Sequence, residues 1–565
     1  MLSEIGDQVI RAICSQIKEL QPGDLTFELP PDRVLGDIAI PCFKAAKILR
    51  LSPAQIAQRF SDSIEMPEII DRMIPTGPYL NLFLNRPKFS KLLFRKVHAN
   101  PEYGSQKTGI GQKALVEHTS INPNATPHVG RARNALIGDS IARLLRFEGY
   151  DVEVHYYVND MGKQIAYLVL ESEEKDNIQF EELLEIYIAA NKKAETDPNY
   201  EIRAIDLLRQ FEDGNPQVER EFKRIVDVCL KGQVQVLNRM GIYYDVFDYE
   251  SRFSQDDRLK NVEERLDKKN ALFTDINGRV VVDLKKLGAE FEEGRYFVFQ
   301  RANGSSLYGY RDIAYTLHKI ECIPSNNIVV LGEDHKLYFE QLSRILQTVA
   351  VKPPEVIHYS FIHLSEGKMS TRKGNVVLLS DFLDEAISLA GERVNESCHS
   401  LTEEDRDKTA SMIGICAVKF SILRVAPQNP VTFEWGTALS FEGDTGPHIQ
   451  YSCARIKSIL EKSEFEGLSN DYQVVSLHDA EWDLMIWLSK FPDTVQAAIS
   501  ARNPAIVAND VLEIAKRFNT FYHHCPVLTA ETEDQYAQRI SICRASLQVI
   551  TTALDLLGIQ VPEKM

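Results

Sequence analysis

Between Lys113 and Val158 the spacing of apolar residues changes twice. "KALVEHTS" (Lys113–Ser120) is a short apolar run rich in β-formers, which predicts a buried strand. "SINPNATPHVG" holds two prolines and two asparagines and predicts a loop. From Arg131 onward Leu136, Ile137, Ile141, Leu144 and Leu145 recur at helical spacing, and Gly149 closes the helix. "VEVHYYV" (Val152–Val158) predicts the next strand. Strand, loop, helix, strand is the βαβ unit of a parallel sheet, and the same alternation continues to about residue 400. The middle of the chain therefore reads as an α/β domain with a doubly wound parallel sheet.

The flanks differ. Residues 1–105 mix turns, short strands and helices, as in "GDLTFELPPDRVLGDIAIPCFKAAKIL", and read as a small α+β module. "NPEYGSQKTGIGQ" (Asn100–Gln112) reads as a linker. Residues 113–400 are the α/β domain, with insertions at about 171–201 and 270–305. The first insertion is acidic and helical. The second holds strands around Asn277-Gly278 and Asn303-Gly304, both hairpin signals. "VIHYSFIHL", further on, reads as one strand. From residue 401 to 565 long helical patterns dominate, such as "GPHIQYSCARIKSILEKS" and "RISICRASLQVITTALDLLGI", and predict an all-α domain.

A chain of 565 residues has room for three or four domains. No apolar run approaches the ~18 residues of a membrane span. The first residues, "MLSEIGDQVIRAICSQIKEL", lack the features of a signal or transit peptide. Nine scattered cysteines without a C-x-x-C pair fit free thiols in a reducing cytoplasm, and no structural metal is expected. The formal charge of −17 means that any nucleic-acid contact needs local basic patches. "NRPKFSKLLFRKVH" supplies Arg86, Lys88, Lys91, Arg95 and Lys96 on a helical pattern, which fits such a patch or a solvated face.

Two loops carry candidate chemistry. In "TPHVGR" Pro127, His128 and Gly130 stand at the C-terminal end of a strand and the N-terminus of a helix, where parallel sheets bind phosphates. Gly130 allows a flat base to approach, and the His128 ring offers a donor to an oxyanion. About 240 residues later, "EGKMSTRKGNVV" places Lys368, Arg372 and Lys373 with Ser370 and Thr371 between two glycines, near His363. Such a loop suits a clamp on a triphosphate, or is a solvated turn.

Together these stretches resemble the HIGH and KMSKS motifs of class I aminoacyl-tRNA synthetases. "YVNDMGKQ", "GSSLYGYRDIAY", "GDTGPHIQYSCARIKSI", "GPYLNLFL" and the ending "LLGIQVPEKM" are similar to segments of one family among them, the arginyl-tRNA synthetases. The resemblance covers nearly the whole chain in the right order. It implies ATP-dependent ligation of L-arginine to tRNA(Arg) through an arginyl-adenylate, with release of pyrophosphate and AMP. ATP is expected to enter with Mg2+. A monomer is implied.

The resemblance also implies residue roles. Pro127, His128, Gly130, Lys368, Met369, Ser370 and Thr371 would bind ATP. His128, Arg131, Lys368, Arg372 and Lys373 would stabilise charge in the reaction. The sequence departs from both motifs. Arg131 stands where HIGH has its second histidine, with Asn124 the other nearby donor. Thr371 stands where KMSKS has its second lysine, and either Arg372 or Lys373 can supply that charge. Glu117, Asn122, Tyr308, Asp312 and, from "LGEDHKLYF", Asp334 would bind arginine. By local rules alone Glu117 caps a strand edge, Asp312 pairs with Arg311 and Asp334 caps a helix. Tyr79, Asn81 and Phe83 would meet an outer tRNA loop, and Tyr451, Tyr522 and Met565 the anticodon side. Two other classes share part of the pattern: a tRNA-binding paralogue without catalysis, and a class I synthetase for another amino acid.

Overall fold

The computed structural model describes residues 1–172, 177–289, 294–302, 306–364, 377–397, 401–463, 474 and 476–565. The chain opens with the helix Leu2–Gln16, whose Ile5, Val9, Ile10 and Ile13 are buried. This helix precedes an antiparallel sheet of β1 (Ile38–Pro41), β2 (Ile70–Thr76) and β3 (Tyr79–Leu84) in the order β1-β3-β2. In β3 Leu80, Leu82 and Leu84 are core residues, while Tyr79 and Phe83 are part-exposed on the alternate positions. The helix Arg86–His98 follows. Three of its cations are paired: Arg86 with Asp479 at 3.3 Å, Lys88 with Glu68 at 3.0 Å, and Lys96 with Glu4. The N-terminal sheet docks on the C-terminal helices through Trp482, whose indole N–H donates to Asp37 at 2.8 Å. The other oxygen of Asp37 accepts from the Leu84 amide at 2.9 Å.

The central sheet begins with β4 (Lys113–Glu117), β5 (Asp151–Val158) and β6 (Val246–Tyr249). An antiparallel excursion follows: β7 (Leu272–Thr274), β8 (Val280–Asp283) and β9 (Tyr296–Gln300). β10 (Asn327–Gly332) and β11 (Glu355–Tyr359) then complete the central sheet. Its order is β11-β10-β4-β5-β6, and every pairing is parallel. The chain winds outward from β4 to β6, then restarts beside β4 with β10. The switch point, where such sheets bind ligands, therefore lies between β4 and β10.

Alternation along these strands covers both faces of the sheet. Val116, Val154, Tyr156, Val158, Ile328, Val330 and Ile357 join the large core that includes the helix Val129–Phe147. Tyr157, Leu331 and Val356 turn to a second core under the helices Arg258–Lys268, Tyr308–Cys322 and Lys336–Thr348.

Several sequence expectations need adjustment. The first strand ends at Glu117 rather than Ser120, because Thr119 and Ser120 take positive φ (75° and 44°) and turn the chain out of the sheet. The following helix starts at Val129, two residues before Arg131. "VIHYSFIHL" is two strands, not one. The chain leaves the sheet at Ser360, whose amide donates to the Pro427 carbonyl at 2.9 Å and whose hydroxyl donates to Glu333 at 3.0 Å. It then forms β12 (Ile362–Leu364), parallel to β13 (Val431–Phe433). The acidic helical stretch read at 171–201 continues through Pro198–Glu212 and Pro216–Asn238. The turn at Asn277-Gly278 joins β7 to β8, with Gly278 at φ 76°. Asn303-Gly304 lies outside the described residues.

Helices dominate the rest: Leu379–Ser397, Glu403–Leu423, Gly446–Glu461, Asp479–Ser500, Ala505–His524 and Glu533–Leu556. They are tied to the helix Val129–Phe147. Its fully buried Arg133 donates to the carbonyls of Ser360 at 2.7 Å and Ala426 at 2.9 Å, and Ser140 donates to that of Leu556 at 2.8 Å. Lys419 is buried between the Met240 and Gly558 carbonyls, and burial lowers its pKa to about 8.

Candidate active site

A cavity of about 230 Å3 opens at the C-terminal ends of β4 and β10. Its floor is Val329–Gly332 of β10, and Glu117 stands at the end of β4. The helix Tyr308–Cys322 presents Tyr308, Asp312, Tyr315, Thr316 and Lys319 to it. Those positions follow one helical stripe, i, i+4, i+7, i+8 and i+11. The helix Val129–Phe147 contributes Arg131 and Asn134, the loop after β4 gives Thr119, Ser120 and Asn122, and the loop after β10 leads to His335 and Tyr338.

The strained turn after β4 is held from several sides. The Thr119 amide donates to the Asn134 side chain at 2.6 Å, and Asn134 donates in turn to the Val330 carbonyl at 2.9 Å. The Tyr244 hydroxyl donates to the Thr119 hydroxyl at 2.7 Å. The Tyr157 amide donates to the Ser120 hydroxyl at 3.2 Å. Gln233 donates to the carbonyls of Asn122 and Ala125 at 3.0 and 2.9 Å. With so many partners the loop keeps a conformation that non-glycine residues otherwise avoid.

Glu117, Glu250 and Asp312 line the cavity together with Lys319 and Arg131, and Arg311 stands behind Glu250. Glu117 is paired with Lys319, whose ammonium also lies 4.3 Å from the Tyr315 ring centre. Glu250, which is 1% exposed, accepts from Arg311 at 2.6 Å. Asp312 accepts from the Tyr338 hydroxyl at 2.5 Å. Burial is the main cause that raises the Asp312 carboxyl above its usual range; the Tyr338 hydrogen bond opposes it. Burial also raises Glu250 to about 7, against the pull of Arg311 and with the push of Asp312. Partial burial, then Asp312, raises the Tyr308 phenol.

The sequence candidates fall as follows. Glu117, Asn122, Tyr308 and Asp312 line this one cavity; Asp334 does not, and lies exposed beside His335 at 3.7 Å. Asp312 partners Tyr338 rather than Arg311. Asn122 and Asn124 both donate to Gln164 of the "YVNDMGKQ" segment, at 3.3 and 3.0 Å. Pro127 and His128 stand beside the chain that follows the basic loop: Leu379 donates to the Pro127 carbonyl at 2.8 Å, and Val129 to that of Val377 at 3.0 Å. A Cβ on Gly130 would lie 2.9 Å from the His128 ring, so glycine is what lets that ring sit over the helix start. Burial, then the Arg131 charge, lowers the His128 pKa, which favours the neutral ring. Arg131 makes no ion pair among the described residues and lines the cavity. Lys368, Met369, Ser370, Thr371, Arg372 and Lys373 lie outside the described residues.

Glu250, Asn134, Lys319 and Tyr338 line the cavity without having been singled out in the sequence, and Tyr157 and Tyr315 line it as members of the segments "YVNDMGKQ" and "GSSLYGYRDIAY", without a role assigned to either. The helical stripe that starts at Tyr308 and Asp312 is the signal for Tyr315 and Lys319. For Glu250, after β6, the sequence carries no comparable signal.

The other candidates form two groups. Tyr79 packs edge-on against Phe43 with ring centres 5.7 Å apart, Asn81 is buried, and the Phe83 ring lies 4.2 Å below the Arg72 guanidinium. Tyr451, Tyr522 and Met565 line one cavity of about 750 Å3 among the C-terminal helices. Arg455 sits between the two tyrosines, 4.8 and 4.7 Å from their ring centres.

Comparison with known proteins accounts for this arrangement. Residues 91–435 match the family described as "tRNA synthetases class I (R), catalytic domain". Residues 449–565 match the "DALR anticodon binding domain", and residues 4–84 the "Arginyl tRNA synthetase N terminal domain". The arginine–tRNA ligase of Methanococcus maripaludis is 36% identical, covering 100% of both chains. That of Methanopyrus kandleri is 38% identical over 98% of this chain and 96% of its own. The Thermus thermophilus arginyl-tRNA synthetase structure superposes with a TM-score of 0.82 at 26% identity, covering 100% of both chains. With a catalytic-domain match over more than half its length and relatives that run end to end with it, the chain belongs to the arginyl-tRNA synthetase family, the class I ligases that join arginine to tRNA.

Proposed function

We propose that the cavity between β4 and β10 holds the arginine side chain, with Asp312 and Glu250 as the acceptors of its guanidinium. Glu117, held by Lys319, forms the third side. Two carboxylates and a planar fork of donors make a directional match, which a lysine ammonium lacks. Asn122 and Tyr308 stand at the mouth, where the α-amino and α-carboxylate ends of arginine would lie. Asp334 would act only from outside the lining. The observation that carries this reading is the convergence of three carboxylates, Glu117, Glu250 and Asp312, on one cavity at the switch point of the sheet.

The reaction needs positioning and charge stabilisation rather than a protein nucleophile. The arginine carboxylate attacks the α-phosphate of ATP, pyrophosphate leaves, and the terminal tRNA ribose then takes the arginyl group and releases AMP. His128 would donate to oxygens that gain charge at the phosphorus, and Gly130 would lie under the adenine. Arg131, in the first turn of the same helix, would take the place of the second motif histidine. Lys368, Arg372 and Lys373 would share the triphosphate charge, with Mg2+ entering on ATP, while Met369, Ser370 and Thr371 would line the nucleotide. Tyr79 and Phe83, both part-exposed, would face an outer tRNA loop; Asn81, expected beside them, is buried and would not. Tyr451, Tyr522 and Met565 would receive unstacked anticodon bases, since aromatic and apolar groups suit that task. We also read the enzyme as a cytoplasmic monomer.

The test is kinetic. Asp312→Asn keeps the shape, halves the acceptor capacity and removes the charge. It should raise the KM for arginine at least tenfold and that for ATP less than threefold, within the range that buried polar contacts can discriminate. An unchanged arginine KM would place the guanidinium elsewhere.

A further inference from the structure

We propose that the hydroxyl of Tyr157 contacts the bound arginine side chain and is a specificity-determining group of this enzyme. This rests on the reading that the cavity holds the guanidinium. Tyr157 belongs to β5 and faces the second core, where its ring stacks on Tyr315 with centres 4.2 Å apart and planes 12° apart. The ring is thus fixed by packing, and its position does not depend on the hydroxyl. The hydroxyl oxygen is buried and has no hydrogen-bond partner among the described residues. Tyr157 lines the arginine cavity.

An unpartnered buried hydroxyl is costly, and folded proteins rarely leave one without a reason. Here the surroundings suggest the reason. Burial first, then the charges of Asp312 and Glu250, push the phenol well above its usual range, so it stays neutral. Its charged neighbours are the two carboxylates proposed to accept the guanidinium, and Arg311, which is engaged by Glu250 and gives the phenol no hydrogen bond. A guanidinium between them brings N–H donors beside a phenol oxygen that has two free lone pairs. The hydroxyl then gains the partner it lacks in the unliganded protein. A lysine ammonium is compact and has no planar fork, so it spans both carboxylates and the phenol less well.

Tyr157→Phe removes the hydroxyl and keeps the stacked ring. The arginine dissociation constant, measured by calorimetry on the full chain, should rise about tenfold, the usual scale of one lost buried hydrogen bond to a charged group. The ATP KM should stay within twofold. The thermal midpoint of the unliganded variant should equal or exceed that of the unchanged protein, because a costly unmet group has gone, whereas the upward shift of the midpoint by saturating arginine should shrink. The preference for arginine over lysine should fall as well. An unchanged arginine affinity would overturn the proposal, and so would a lowered unliganded midpoint, which would show that the hydroxyl already had a partner. Asp312→Asn, measured in parallel, separates the two levels. If it weakens arginine while Tyr157→Phe does not, the cavity assignment stands and the tyrosine contact fails; if neither does, the cavity assignment itself fails.

Discussion

Arginine binding should release a proton from this enzyme near neutral pH, and Glu250 should be its source. The carboxyl of Glu250 is raised from 4.5 to about 7. Burial is the largest cause; Arg311 opposes it, and the charges of Asp312 and Asp160 add to it. A carboxyl raised by folding stabilises the protein in its protonated form. That contribution is complete below about 4.5 and is lost as the pH climbs to about 7. A guanidinium favours the charged form, so arginine should bind best once the proton has gone. With a pKa of about 7, the charged fraction is roughly 0.1 at pH 6 and roughly 0.9 at pH 8. The apparent dissociation constant for arginine should therefore fall about tenfold between pH 6 and pH 8. Calorimetry in two buffers of different ionisation enthalpy reads the proton count directly. About 0.9 protons should leave per arginine at pH 6 and about 0.1 at pH 8. Glu250→Gln should flatten both profiles. An affinity constant within twofold over that range, with no proton released at pH 6, would mean that Glu250 is already ionised or never meets the ligand.

Three further outcomes are expected. Lys319→Met leaves the buried Glu117 without its partner and should cost about 3–5 kcal/mol in urea unfolding, most of it recovered in the double variant with Glu117→Gln; an additive pair would show that the two side chains do not interact. His128→Ala removes one donor to developing charge and should cost roughly 3 kcal/mol in the barrier of tRNA-supported ATP–pyrophosphate exchange, with the KM for ATP little changed; wild-type turnover would dismiss the role. Arg455→Ala removes the guanidinium held between Tyr451 and Tyr522, and loss of two cation–π contacts at roughly 0.5–1 kcal/mol each should raise the tRNA KM about fivefold or more without moving that for arginine; an unchanged tRNA KM would remove that cavity from tRNA binding.

Much of this protein is written in local pattern. The βαβ unit around His128 is legible because a period-2 strand, a proline- and asparagine-rich loop and a period-3.6 helix follow one another, and each period has a single backbone solution. Phosphate-binding loops are legible for the same reason: glycine, histidine and a helix start must be neighbours in sequence to be neighbours in space. Family motifs in order then led from local pattern to chemistry. Local pattern also misled at Ser360. The apolar run around it reads as one strand, and tertiary partners, the carbonyl of Pro427 67 residues away and the carboxylate of Glu333, hold the chain where it leaves the sheet. The pairings around the cavity between β4 and β10 were decided by tertiary structure alone. Glu117 and Lys319 are 202 residues apart, and Glu250 and Arg311 are 61. No periodicity links them, because they meet through strand order at the switch point and through the face that each strand turns to the second core. Sequence thus set which ionisable groups are present and which elements carry them. The order β11-β10-β4-β5-β6 decided which of them are buried together, and burial together is what raises the Asp312 and Glu250 carboxyls and leaves the hydroxyl of Tyr157 without a hydrogen-bond partner among the described residues.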